Sequence, residues 1–425
     1  MTSGADGGSD DSRITRFLRF FVGNSVTDRL LISLAALVAA VVVSSAVVLV
    51  AGKMAKCPNG SGFLYELGGF CYDPVQLFLV LINGAFGNPF ALGSEQLFTP
   101  GWSPINFSMG TTLKETTLLV LTGLAVAVAF RADLFNIGAQ GQLVLGALGS
   151  ALALVWVAPF APGGIIGSII LISFGLLVGA IAGGLYGALP GALKAYSGAN
   201  EVITTIMLNF IATGLAFYLV SSYFKDPSGQ SIKTKTIPEL GQLRGVLFPA
   251  GGKFSLIALV LALLAVGAVY YLLRHTTFGY DLRVSGEQSP AAQYAGAYAE
   301  RMIVSTMTLS GALSGVAGAM WSMMVIGAWR QGVPALGFDG ITVSVLAGNN
   351  PLGVVPAAFL FGVLKGGSVA IKFQLGVPSE LIGVLRGLII LFVAMPEFFR
   401  MVGNHLGVEE RQRPAVATDG GETDG

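Results

Sequence analysis

Long apolar runs separated by short polar segments dominate this chain of 425 residues. Most runs are about 20 residues long, the length that an α-helix needs to cross the hydrocarbon core of a bilayer. Because the runs are continuous rather than alternating, they predict helices and argue against a membrane β-barrel. The predicted spans lie at about 30–52, 113–130, 134–158, 165–193, 201–223, 254–273, 303–326, 352–371 and 379–398.

One further apolar piece, residues 338–348, is only half a bilayer long and ends at the Asn349-Asn350-Pro351 break. If this piece counts as a crossing, the chain crosses about ten times and both termini share one side. If it does not, the arginine-containing C-terminal tail lies outside, and the positive-inside rule favours the first alternative. We therefore predict an all-α polytopic membrane protein with about 10 transmembrane helices, some of them interrupted.

The orientation follows from the arginines that precede the first span. Arg13, Arg16, Arg19 and Arg29 place the N-terminus in the cytoplasm. The loop 224–253 carries five basic residues and opposes this orientation, so a wholly inverted topology stays open. With the N-terminal cluster taken as decisive, the chain divides into a cytoplasmic tail (1–29), a first span with an external segment (30–110), a transmembrane domain (111–398) and a cytoplasmic tail (399–425).

Composition agrees with this membrane class. The chain is 53% hydrophobic and 11% charged, with a mean hydropathy of +0.74. Soluble domains carry about 25% charged residues. Among the 59 glycines, every fourth residue from Gly179 to Gly191 is Gly, which predicts a smooth ridge for close helix packing without a chemical role.

Several kinds of chemistry are absent from the sequence. It has no G-x-x-x-x-G-K-[ST] phosphate loop, HExxH motif or G-x-S-x-G elbow, so we predict neither ATP hydrolysis by this chain nor another enzyme activity. We also predict no metal site, because His275 and His405 lie far from the two cysteines. Cys57 and Cys71 share the external segment, where either a disulfide or two unpaired thiols is possible.

Polar side chains within the spans are costly in lipid unless they face a partner or a cavity. We take five amides as candidates for a substrate path, and interhelical hydrogen bonding is the alternative for each: Asn136, Gln140, Gln142, Asn209 and Asn350. Gln140 and Gln142 are two residues apart and cannot point the same way on a helix. Glu201 and Thr205 continue the stripe of Asn209 at a spacing of four and are candidates for a gate or a structural cap.

The docking segment, residues 274–304, is the one long polar stretch between two spans with a clear internal pattern. Phe278, Gly279 and Tyr280 predict an aromatic-Gly-aromatic turn. Ser289 and Pro290 predict a helix start. The helix after them presents small residues to a partner groove, at Ala291, Ala292, Ala295 and Gly296. An ordinary interfacial loop is the alternative.

Four segments together resemble the permease subunits of ABC importers in the branched-chain amino acid, ribose and nucleoside group. They are RADLFNIGAQGQLVLGA at 131–147, GANEVITTIMLNFIATG at 198–214, TTFGYDLRVSGEQSPAAQYAGAY at 276–298 and LAGNNPLGVVPAAFLFG at 346–362. The second is most similar to the larger permease of nucleoside (guanosine-type) systems. The resemblance covers about 110–400, and Gln140 stands where that family often has Glu.

This resemblance implies a multi-pass permease of the cell membrane that works with other chains. These are a cytoplasmic ABC ATPase that uses the ATP, a second and related permease, and an external substrate-binding lipoprotein. For this chain itself we expect no cofactor and no nucleic-acid partner. The cytoplasmic coupling helix of the family maps onto residues 289–298, in a loop that begins near Phe278. Import of nucleosides is the function expected. Import of simple sugars such as ribose, or an ATP-independent secondary carrier, are the alternatives.

Overall fold

The computed structural model describes residues 26–55, 68–87, 103–245, 248, 252–287 and 298–394. Within these ranges the chain forms helices, with two isolated β-bridges and no longer strand. We number the α-helices in chain order: α1 Val26–Met54, α2 Pro74–Phe86, α3 Phe107–Phe130, α4 Ala139–Val157, α5 Gly164–Ser197, α6 Glu201–Leu219, α7 Leu256–His275, α8 Thr277–Glu287, α9 Ala299–Met320, α10 Leu336–Leu346, α11 Val354–Leu375 and α12 Ser379–Ala394. Short π-helical pieces, Val220–Phe224 and Trp321–Ile326, extend α6 and α9.

Seven of the described helices are long and apolar enough to cross a membrane: α3 to α7, α9 and α11, with the π-helical extensions of α6 and α9. The all-α polytopic prediction is therefore confirmed. Three shorter apolar stretches are also helical: Val38–Met54, which is part of α1, Pro74–Phe86 (α2) and Leu336–Leu346 (α10). The last of these is the predicted half-length piece, and a turn at Asn349 to Pro351 separates it from α11.

The chain forms two compact units. One unit consists of Met1–Pro74 and Ser379–Gly425, and in its described part α12 packs against α1. The other unit is Val75–Pro378 and contains α3 to α11 with nearly all of α2. The polar residues predicted to be functional lie in this second unit.

Helix α3 forms the centre of the second unit. Every residue from Thr116 to Ala129 is buried, and the helix packs against α7, α9, α10 and α11. A helix that is apolar on all sides buries all its faces. By contrast, in both α5 and α6 only 22% of the most apolar stretch is buried. Each of these helices therefore presents a wide face outward, as expected of spans at the rim of a bundle.

The predicted glycine ridge on α5 packs against α9, and these two helices share the most extensive contact of the unit. A Cβ atom added at Gly183 would lie 2.4 Å from the Gly311 carbonyl oxygen, and one at Gly187 would lie 2.5 Å from the Met307 carbonyl oxygen. The ridge is therefore a packing surface, as predicted, because any side chain there would separate the two backbones.

The loop between α6 and α7 holds the connecting segment 327–335, which leads from α9 to α10. Thr234 N–H donates to the Trp329 carbonyl (2.9 Å), the Trp329 N–H donates to Thr234 Oγ1 (3.0 Å), and the Gln331 N–H donates to the Ile232 carbonyl (3.0 Å). Within the loop, hydrogen bonds from the Ser228 hydroxyl and N–H, with Lys233 nearby, hold the pKa of Asp226 below its ordinary value. The connecting segment is thus fixed along one side.

Candidate functional site

A cavity of about 310 Å³ lies between α4, α6 and the connecting segment. This volume is at the lower end of the range for small-molecule sites, which is about 300–1,000 Å³. We call it the Gln140 cavity. Its walls include two aromatic rings and several polar side chains, among them Gln140, Thr213, Phe217, Trp329 and Gln331.

Gln140 is held rigidly at the wall of this cavity. Its Nε2 donates to the Pro334 carbonyl (3.0 Å), and its Oε1 accepts from the Gly337 N–H (2.8 Å). A Cβ atom at Gly337 would lie 2.3 Å from the backbone nitrogen of Gln140, so only glycine allows α10 to begin this close to α4. A glutamine amide has two donor hydrogens and two acceptor lone pairs. One of each is therefore left for a ligand.

Trp329 contributes the second polar group of the cavity wall. Its side chain is only 2% exposed, and its Nε1 lacks a hydrogen-bond partner among the described residues. Buried indole N–H groups usually find a partner. Phe217 lines the same cavity and is 38% exposed. The cavity thus combines apolar ring surface with unused hydrogen-bonding capacity.

Asn136 and Gln142, also predicted as path residues, are placed elsewhere. Their amides bond each other reciprocally, at 2.9 Å from Asn136 Nδ2 to Gln142 Oε1 and 3.1 Å from Gln142 Nε2 to Asn136 Oδ1. Asn136 also donates to Ser310 Oγ (2.7 Å), which in turn donates to the Ala125 carbonyl (2.6 Å). This network joins α3, α4 and α9, so the geometry favours the interhelical hydrogen-bonding alternative for both residues.

Asn209 and Asn350 also bond to the backbone. Asn209 Oδ1 accepts from the Gly141 N–H (2.8 Å), and its Nδ2 donates to the Ile137 carbonyl (2.9 Å), which fastens α6 to the start of α4. Asn350 Oδ1 accepts from the Leu352 N–H (3.2 Å) in the turn between α10 and α11. Neither residue lines the Gln140 cavity. Of the five path candidates, the structure places only Gln140 there.

Glu201 and Thr205 lie at the start of α6. Glu201 is paired with Lys194 at 2.6 Å, and the Thr205 hydroxyl donates to the Glu201 carbonyl at 2.6 Å. Asn200 caps the same helix by accepting from the N–H groups of Val202 and Ile203. These contacts close the junction between α5 and α6, so the geometry favours a structural cap over a gate.

A cluster of four charged side chains lies among α3, α10 and α11, and sequence reasoning missed it. Lys365 Nζ is 2.7 Å from Asp339 Oδ2 and 3.5 Å from Glu115 Oε2, and Lys114 Nζ is 3.2 Å from Glu115 Oε1. The available signal was Lys365 itself, since a lysine within an apolar span needs a carboxylate partner. Lys114 also borders a cavity of about 590 Å³ between α2, α3 and α11.

The docking segment is described only in part. Phe278, Gly279 and Tyr280 lie within helix α8, so the predicted aromatic-Gly-aromatic turn is wrong. The glycine serves close packing instead, because a Cβ atom there would lie 2.3 Å from the Leu272 carbonyl oxygen of α7. The predicted docking helix falls outside the described residues, with Ser289, Ala291, Ala292, Ala295 and Gly296.

Cys71 is disulfide-bonded. Cys57 lies outside the described residues, so the Cys57–Cys71 pairing stays a prediction.

The chain is similar to known proteins over the part that contains the site described above. Residues 108–394 match the family described as "Branched-chain amino acid transport system / permease component". Guanosine ABC transporter permease protein NupP of Bacillus subtilis is 35% identical over 339 residues, which cover 77% of this chain and 94% of that protein. Nucleoside ABC transporter permease protein NupB of Lactococcus lactis is 32% identical, with 74% of this chain and 86% of that protein covered.

A third similar protein is named for another substrate. Glucose ABC transporter permease protein TsgB13 of Haloferax volcanii is 31% identical, with 74% of this chain and 83% of that protein covered. No solved structure matches the chain.

Proposed function

The chain belongs to the branched-chain amino acid transport system / permease component family, and from this premise we propose that it is the permease subunit of an ATP-driven ABC importer for nucleosides. The observation that carries the substrate is the 35% identity to the guanosine permease of Bacillus subtilis, over 94% of that protein. The polytopic helical structure suits a permease, because seven helices among the described residues are long and apolar enough to cross a membrane.

In this proposal the chain works in the plasma membrane with three kinds of partner. An external binding lipoprotein delivers the nucleoside, a second and related permease completes the path, and a cytoplasmic ATPase binds and hydrolyses ATP. The chain itself holds no cofactor. Its role is to change between outward and inward access when the ATPase pair closes, as rigid-body switching between packed helices allows.

Force from the ATPase enters through the docking segment. Support comes from α8, a short polar helix that directly follows α7 and packs against both α7 and α9. Gly279 lets α8 pack closely against α7, because a Cβ atom at this position would clash with the Leu272 carbonyl oxygen. A push on residues 288–297 is therefore passed to two spans at once.

Substrate identity is tested by uptake of labelled guanosine into cells with and without this gene. We expect gene-dependent guanosine uptake that other nucleosides inhibit and that ribose and glucose do not. Gene-dependent uptake of ribose or glucose without nucleoside uptake would move the substrate to simple sugars. Uptake by the purified chain in vesicles without ATP or partners would instead indicate a secondary carrier.

The coupling role is tested by Ala292→Trp and Gly296→Trp in the assembled transporter. A bulky ring on the small-sided helix should hinder its seating in the ATPase groove. We expect substrate-stimulated ATPase activity to fall at least about fivefold, the lower end of typical coupling effects. Ala292→Ser is the matched control, since it adds little volume. Normal stimulation in both tryptophan variants would contradict the coupling assignment.

A further inference from the structure

We propose that the Gln140 cavity binds the flat base of the nucleoside during its passage, with Phe217 against a ring face and Gln140 on the ring edge. This inference rests on the proposed nucleoside import and adds to it a site within the permease. Selection of the base then occurs in this chain as well as in the binding protein.

The size of the cavity is the first argument. At about 310 Å³ it falls within the volume range of small-molecule sites. Two cavities of about 590 Å³ have lysine side chains in their walls, Lys114 in one and Lys225 and Lys235 in the other. A charged wall suits a neutral base less well.

The aromatic lining is the second argument. Each stacked base–aromatic contact contributes to binding regardless of base identity, because every base presents a π face. Phe217 lines the cavity and is 38% exposed, so its ring can be reached by a ligand. Phe210 lies two turns earlier on the same face of α6, is 71% exposed and does not line the cavity, so it serves as a matched control.

Unused hydrogen-bonding capacity is the third argument. Gln140 keeps one donor and one acceptor after its bonds to Pro334 and Gly337. The Thr213 hydroxyl donates to the Asn209 carbonyl at 2.9 Å and can still accept. A base edge carries both donors and acceptors and so matches this mixed set, whereas an anion or a cation would need one sign only.

Both walls are also held in place before any ligand arrives. Gln140 is fixed by two bonds of its own side chain, and Trp329 is fixed through its backbone by Thr234. Preorganised groups lose little entropy on binding, so a shallow site can still discriminate between ligands. The Trp329 part of the wall is bonded to the loop between α6 and α7, which the predicted topology places outside.

Protection of an introduced thiol tests this proposal in the assembled transporter. Gly214→Cys places a thiol on the cavity wall at a position where an added Cβ meets nothing within 4 Å. A water-soluble methanethiosulfonate reagent should label it, and guanosine should slow that labelling at least fivefold while ribose does not. Ser222→Cys, exposed and outside the cavity lining, is the matched control and should be labelled equally with and without guanosine.

A second pair of variants tests the ring. Phe217→Leu in the Gly214→Cys background should abolish the protection by guanosine, and Phe210→Leu in the same background should preserve it. In a transporter that still imports guanosine, unchanged labelling of Gly214→Cys in the presence of guanosine would overturn the inference. Absence of any labelling would do the same, because the cavity would then be closed to water. Protection by glucose or ribose would show that the cavity binds a sugar instead of a base, and it would also overturn the inference.

Failure of the proposed function would be seen in a different measurement, the uptake of guanosine. Without gene-dependent guanosine uptake by the wild-type transporter, nucleoside import itself is refuted, whatever the thiol does.

Discussion

Replacing Gly183 by alanine tests how tightly the central helices must pack. The added Cβ would lie 2.4 Å from the Gly311 carbonyl oxygen and 2.6 Å from Gly315 Cα, whereas ordinary contact begins at 3.4 Å. Because both neighbours are backbone atoms, no side chain can move aside, and α5 and α9 must separate locally by about 1 Å. A gap of that size removes roughly a quarter to a half of the dispersion energy of each contact.

We expect the free energy of unfolding to fall by about 1–3 kcal/mol, the usual cost of overpacking. The measurement is thermal unfolding of the purified transporter, followed by loss of its monodisperse chromatographic peak. Gly267→Ala is the matched control, because it also adds one methyl within an apolar helix but meets nothing within 4 Å. It should leave the melting temperature unchanged or raise it slightly. An equal melting temperature for Gly183→Ala and Gly267→Ala would refute the packing argument.

Two further substitutions test the buried polar groups. Asn136→Ala leaves Gln142 and Ser310 without their partner and should cost about 1–3 kcal/mol in unfolding free energy; a wild-type melting temperature would show that the network adds no stability. Lys365→Met removes the cation that is 2.7 Å from Asp339 and should cost about 3 kcal/mol. Adding Asp339→Asn to Lys365→Met should restore part of that stability, and an additive double-mutant cycle would contradict the pairing.

Seven of the predicted spans correspond to helices long and apolar enough to cross a membrane, because apolar length marks such helices in the sequence. The run 303–326 corresponds to Ala299–Met320 with its π-helical extension, and the run 201–223 corresponds to Glu201–Leu219 with its own. Their ends differ by a few residues, since the polar residues at helix starts belong to the helix but not to the apolar run. Glu300 and Arg301, for example, lie in the first turn of α9 but before the predicted run 303–326.

The roles of the individual amides could not be predicted, although one constraint could. The spacing of Gln140 and Gln142 requires opposite directions on a helix, and the structure indeed sends Gln140 to Pro334 and Gln142 to Asn136. Which of the two meets the cavity depends on distant residues: Pro334 lies 194 positions from Gln140, and Ser310 lies 174 positions from Asn136, the partner of Gln142. Local pattern contains no information about such distant neighbours.

Trp329 is a second residue whose role could not be predicted from the local sequence. It follows a predicted span and has no motif around it, so nothing local marks it as part of a site. Its position depends on Thr234, 95 residues earlier, in a loop whose own conformation is set by hydrogen bonds rather than by apolar pattern. Lys365 could have been recognised in the sequence, because a charge within an apolar run is visible there, but its partner Asp339 lies in a different helix.

Helix α10 joins the cavity to the charged cluster, and this arrangement limits how the site can change shape. Its first turn donates from Gly337 to Gln140 and pairs Asp339 with Lys365, while its far end leads to Asn349, whose carbonyl accepts from Arg131 at 2.8 Å. Eleven residues make a rod of about 16 Å, too short to bend appreciably. The Gly337 bond is a single neutral contact, whereas Lys365 contacts two carboxylates, so the bond to Gln140 is the weaker tether. The charged contact therefore fixes the first turn of α10 more firmly than the Gly337 bond does, and it keeps the Gly337 N–H in place for Gln140.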